Sequence, residues 1–141
     1  MTGSGLFRIV VAVLLAASPL PAPAQDAALE ELIARSEYEW AHHLRMARKA
    51  GVEDAKITAL AGWRSSKIYD ARERAALALT EGVMGCNVTD DIHAEVKQQF
   101  SDAEFVELSL TAAFYAMVSR MLDAMRVELD EDVRGHAPKL K

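Results

Sequence analysis

An all-α fold of about five helices follows from three observations. Ala, Leu and Met dominate the chain and Gly is scarce, which favours helices over strands. Apolar residues recur at helical spacing, and no stretch alternates as a strand would. Each periodic stretch is also bracketed by residues that start or stop helices. With 141 residues, 51% of them apolar, the chain can build one packed domain and not two.

The elements are expected in this order. Asp26 to Ala50 reads as a helix carrying Leu29, Leu32, Ile33, Trp40, Leu44 and Ala47 at helical spacing, with Gly51 as its stop. Asp54 is placed to cap a short helix through Trp63, with Ile57 and Leu60 inward. Arg64 to Tyr69 reads as a polar connector. Asp70 and Glu73 form a capping-box pair for a helix from Ala71 to Met84, which brings Ala75, Leu77, Ala78 and Leu79 inward. Gly85-Cys86-Asn87 breaks that helix. Thr89 caps a helix from Asp90 to Phe100. Ser101, with Glu104, caps the longest helix, Asp102 to about Val127. Its expected stripe is Phe105, Leu108, Ala112, Tyr115, Val118, Met121, Leu122 and Met125. From Glu128 a charged tail with Gly135 and Pro138 is expected to fray.

The first 24 residues differ from the rest. A short stretch with one basic residue, Arg8, precedes the apolar run Ile9–Ala17, and small residues then lead to a cut before Gln25. That order is that of a secretory signal peptide. The run is too short to span a bilayer, which takes roughly 20 residues. The alternatives are a retained anchor or a different start site. Cleavage would send residues 25–141 to a periplasmic or extracellular destination, with no stable membrane insertion. Without cleavage the chain would be cytoplasmic.

Charge and cysteine content narrow the function. The formal charge is -5 and no basic stripe is present, which argues against a nucleic-acid partner. The single cysteine, Cys86, allows neither an intrachain disulfide nor a two-thiol redox pair.

The densest chemistry lies in Ser36-Glu37-Tyr38-Glu39-Trp40-Ala41-His42-His43. On a helix Ser36, Glu39 and His43 share one face. A carboxylate one turn before an imidazole can orient it and raise its basicity. Tyr38 and His42 fall off that face and could line a pocket edge or a subunit contact. The plain structural reading is an exposed Glu39–His43 ion pair worth roughly 0.3 kcal/mol. Glu39-x-x-His42 also has the spacing of a carboxylate-bridged di-iron half-site. A second half-site is missing, Asp90-x-x-His93 being only a near match, so no metal is expected. Trp40 and Trp63 read as core or interface fillers. Arg120 reads as an ion-pair partner of Asp123, or as a holder of a substrate carboxylate.

The run SEYEWAHHLRMARKAG, then ARERAALALTEGV, then FSDAEFVELSLTAAFYAMVSRMLDAMRVEL, resembles the carboxymuconolactone decarboxylase family, which includes the AhpD-like alkylhydroperoxidases. The resemblance covers about residues 34–130. It implies an all-helical AhpD-like domain, assembly into trimers or hexamers, and an active site lined by the motif helix. In the peroxidase branch the site resembles C-x-x-C-x-x-x-H with a glutamate twelve residues before the first cysteine. Laid on this chain, His43 matches the histidine, while Ser36 and Glu39 stand at the two cysteines. A dithiol peroxidase needs one thiolate to attack and a second thiol to resolve the sulfenic acid, so that activity is not expected. Ala24 stands at the upstream glutamate position, so by this resemblance the front end of the domain is expected to be shortened.

The decarboxylase branch, by resemblance, works without metal or organic cofactor on an enolisable lactone acid. Such chemistry needs a stabilised enolate and a proton donor at carbon. The residues expected to supply it are His43 as proton carrier and Glu39 as its partner, with Ser36, Tyr38 and His42 at the substrate. The competing reading is a non-catalytic helical binding or assembly module. In either case a shortened front end would leave Phe105, Phe114 and Met121 of the last helix exposed, which points to self-association.

Overall fold

The computed structural model describes residues 37–127, with side chains from His43 onward except that of Asp123. The expected leader over residues 1–24, the start of the first helix, Ser36 and the charged tail lie outside the described residues. Within them the fold is all-α, as expected. It comprises α1 (Glu37–Lys49), α2 (Asp54–Thr58), a 3-10 turn (Leu60–Gly62), α3 (Ala71–Met84), α4 (Asp90–Gln99) and α5 (Asp102–Met125).

The helix starts are set by local side-chain chemistry. Asp70 accepts from the Glu73 amide at 2.8 Å and Glu73 accepts from the Asp70 amide at 3.0 Å, completing the capping box of α3. Ser101 and Glu104 exchange the same two bonds at the start of α5. Thr89 caps α4 through the Ile92 amide. The start of α2 differs from expectation. Glu53 holds the N-cap position without a side-chain bond, and Asp54 is already helical. The Asp54 carboxylate instead accepts from Arg48 Nε at 2.7 Å, tying the last turn of α1 to the first of α2.

Three helix ends share one geometry. After α1, Gly51 has φ 81°, its amide bonds the Arg48 carbonyl, and the Val52 amide bonds the Ala47 carbonyl. This is the Schellman motif, in which a left-handed residue lets two amides satisfy the last carbonyls. After α3 the same bonds run from Cys86 to Val83 and from Asn87 to Gly82, with Cys86 at φ 52°. After α5, Arg126 has φ 52° and the Val127 amide bonds the Leu122 carbonyl.

Helix α3 is the centre of the packing. Its Leu77 and Ala78 join Leu44, Ala47, Ile57, Leu60, Trp63 and Tyr69 in one apolar cluster. Its Ala75, Ala76 and Leu79 join Val96, Phe100, Leu108 and Ala112 in a second. The small alanines let α4 and α5 approach closely, and residues of both clusters are almost fully buried. Truncating Leu77 or Leu79 to Ala would cost about 2–5 kcal/mol. Arg72 binds the corner of the second cluster. It donates to the Gln99 carbonyl, pairs with Glu104 at 2.7 Å, and lies 4.0 Å over the Phe100 ring.

Two side-chain expectations change. Tyr69, read as part of a polar connector, is buried, and its hydroxyl donates to the Lys56 carbonyl at 2.5 Å. Met125, read as a stripe position, is exposed, while Leu108, Ala112 and Ala116 hold the inner face of α5. Phe105 and Met121 each carry both readings, stripe position and exposed position: Phe105 packs half-buried against the second cluster, and Met121 is exposed.

Candidate functional site

The amphipathic pattern of α1 turns His43, Leu44 and Ala47 toward the interior. His43 is only 5% exposed, and its Nδ1 is closed off from solvent. The plain reading of an exposed His43 therefore does not hold. The edge contact comes from Tyr115 on α5, whose ring stands 4.9 Å away at 77°. Phe114 packs edge-on against the other side of Tyr115 at 5.3 Å and 82°.

Tyr115 also belongs to a small apolar group with Met84, at the end of α3, and Ala116. One turn further along α5, Arg120 donates to the carbonyls of Ala116 and Met84. A guanidinium at the C-terminal carbonyl of α3 meets the negative end of that helix. Arg120 was expected to pair with Asp123, whose side chain lies outside the described residues. In the structure its recorded bonds are to backbone carbonyls. Helix α1, the end of α3 and the middle of α5 thus converge on the His43–Tyr115 contact.

The remaining candidates stand as follows. Tyr38, Glu39 and His42 lie in α1 with His43, and their side chains, like all of Ser36, fall outside the described residues. Helical register places Glu39 one turn before His43. The sequence pattern marks Tyr115 only as an apolar stripe position. The signal that could have singled it out was its place in the FY pair of the final motif segment.

Other polar clusters have structural explanations. Trp63 is buried and donates through Nε1 to Glu81 at 2.6 Å, and Arg64 pairs with the second oxygen of Glu81. Arg74 donates to the carbonyls of Trp63, Arg64 and Ser66 and so closes the turn after the 3-10 segment. Trp63 acts as the core filler expected of it. His93 is exposed and rests edge-on against Phe105 at 5.4 Å. Cys86 is exposed at the end of α3, in the left-handed position described above.

Residues 31–82 match the model of the carboxymuconolactone decarboxylase family. The matched stretch contains Ser36, Tyr38, Glu39, His42 and His43 and runs through most of α3. It stops before Tyr115 and Arg120, so those two enter the site by geometry alone. No curated protein matches the chain closely.

Proposed function

We propose that this carboxymuconolactone decarboxylase-like protein carries out cofactor-free acid–base chemistry on a small lactone or oxygenated acid. The observation that carries the reading is the burial of His43 against Tyr115, on the helix that bears the family motif. A proton carrier works best where water is excluded and its ring is fixed, and an apolar wall with one edge-on aromatic provides both. Glu39, one turn earlier, is the group proposed to orient His43. Ser36, Tyr38 and His42 are proposed to line the substrate end. In a decarboxylation the carbon–carbon bonding pair moves into the conjugated carbonyl as carbon dioxide leaves. His43 then returns a proton to carbon. A two-thiol peroxidase reaction has no support, because Cys86 is the chain's one thiol and sits after α3.

The test is carbon dioxide release from a panel of unsaturated lactone acids, comparing the native chain with His43→Ala, Glu39→Gln and Tyr115→Phe. Loss of turnover in His43→Ala, at unchanged helicity, is the expected result. Turnover that survives His43→Ala would remove His43 from the chemistry. A second reading, a non-catalytic assembly module, draws on the exposed apolar face of α5. It predicts that no member of the panel turns over while the chain still associates.

A further inference from the structure

Helix α5 is apolar on two opposite faces. One holds the core through Leu108, Ala112 and Ala116. The other presents Val106, Leu110, Phe114, Met117, Met121 and Met125, each between 48% and 68% exposed. Exposed alanines at 103, 113 and 124 fill the gaps, and the charge at its rim is Glu107. A free surface seldom carries so many large apolar groups in one line.

The spacing of these six residues reads the same in both directions. The intervals along 106, 110, 114, 117, 121 and 125 are four, four, three, four and four. We infer that this face pairs with the same face of a second copy, the two α5 helices running antiparallel about a two-fold axis between Phe114 and Met117. Antiparallel alignment then sets Val106 opposite Met125, Leu110 opposite Met121 and Phe114 opposite Met117. Every large group meets another, as a self-complementary two-fold contact requires. Two Phe–Met contacts flank the axis, a favourable sulfur–aromatic pairing.

Area favours the same occupant. Half to two-thirds exposure of six large side chains is roughly 600 Å² per copy, and covering it on two copies removes about 1,200 Å², the lower bound for a stable specific interface. A bilayer is the competing occupant, because α5 is long and apolar enough to cross one. Its inner face, however, is already committed to the core. The contact does not depend on the proposed reaction at His43.

The experiment measures solution mass of the full chain by light scattering, native against Leu110→Glu, with circular dichroism on both. The native chain is expected to form a dimer or a larger even-numbered assembly. Leu110→Glu is expected to halve its mass at unchanged helicity, since Leu110 lies outside the core. A monomer throughout, or a native mass that Leu110→Glu does not change, overturns the proposal. So does α5-dependent flotation of the native chain with phosphatidylcholine vesicles in place of self-association. Register is tested by oxidising the double variant Leu110→Cys, Met121→Cys in a Cys86→Ser background. Interchain dimers from the double variant, and none from Leu110→Cys alone, are expected. The reverse pattern refutes the antiparallel arrangement.

Discussion

Replacing Cys86 with glycine should stabilise the protein. Cys86 holds φ 52° because the Schellman bonds from Cys86 and Asn87 to Val83 and Gly82 close the end of α3. A side chain in that conformation costs about 1–2 kcal/mol through the clash of Cβ with the carbonyl. Glycine removes the clash but raises the entropy of the unfolded chain, returning about 0.4–1 kcal/mol of the gain. The net expectation for Cys86→Gly is about 0.5–1 kcal/mol of added stability. For a chain of this size that is a rise in melting temperature of roughly 2–4 °C. The assay is urea unfolding followed by circular dichroism, reading a higher midpoint at unchanged slope. Gly51→Ala is the mirror control. Gly51 occupies the same left-handed position after α1 at φ 81°, so a Cβ there should destabilise by a similar amount. A Cys86→Gly midpoint at or below native, together with a neutral Gly51→Ala, would refute the argument. The same variant also removes the only sulfur capable of thiol chemistry. Any catalytic activity of the protein should survive it.

Two further predictions concern pH. Burial first, and then the nearby Glu73 carboxylate, push the Tyr69 hydroxyl up to about 12 from an ordinary value of 10.0. The contribution is therefore complete below pH 10 and lost as pH rises toward 12, because the unfolded chain ionises first. Tyr69→Phe should flatten that alkaline loss in a pH series of urea midpoints, while costing about 1 kcal/mol at neutral pH for the bond to the Lys56 carbonyl. At the acid end, the hydrogen bonds from Ser101 and then the Arg72 guanidinium hold the Glu104 carboxyl below the usual range. Its contribution is present above the ordinary glutamate value and lost as pH falls through the lowered one. Glu104→Gln should thus be less stable at neutral pH and show a shallower acid limb. Part of the slope will remain, because a bond from Lys97 likewise lowers Asp102.

What could be read from sequence follows the range of the interactions. Asp70 with Glu73, Ser101 with Glu104, and Thr89 each act within three residues, and each caps the helix expected of it. Gly51 stops α1 for an equally local reason. Around the end of α3 the sequence marks Gly85-Cys86-Asn87 as the break. Yet Gly85 has φ -88°, and the left-handed turn falls one residue later, on Cys86. Composition marked the break but not its register. Tyr69 looked polar because its partner, the Lys56 carbonyl, is a backbone group with no mark in the sequence. The stripe on α5 was blurred because that helix is apolar on two faces, and periodicity alone does not say which one the core takes. At the candidate site, the motif singled out His43. Its neighbour Tyr115 is 72 positions away in the chain and becomes adjacent only through the packing of α1 on α5.

The two apolar faces of α5 decide which substitutions can separate catalysis from association. Tyr115 sits toward the core and touches His43, whereas Leu110 lies on the outer face. Phe114 belongs to both regions: it is exposed beside the inferred two-fold axis, and its ring also packs edge-on against Tyr115. Truncating Phe114 would weaken a subunit contact and loosen the ring that walls His43 at once, so a loss of turnover would have two explanations. Leu110→Glu has only one. If it dissolves the assembly and turnover persists, each copy holds a complete site. If turnover falls with the mass while His43 stays buried, association supports the site, and the Phe114–Tyr115 contact is the physical route by which it would do so.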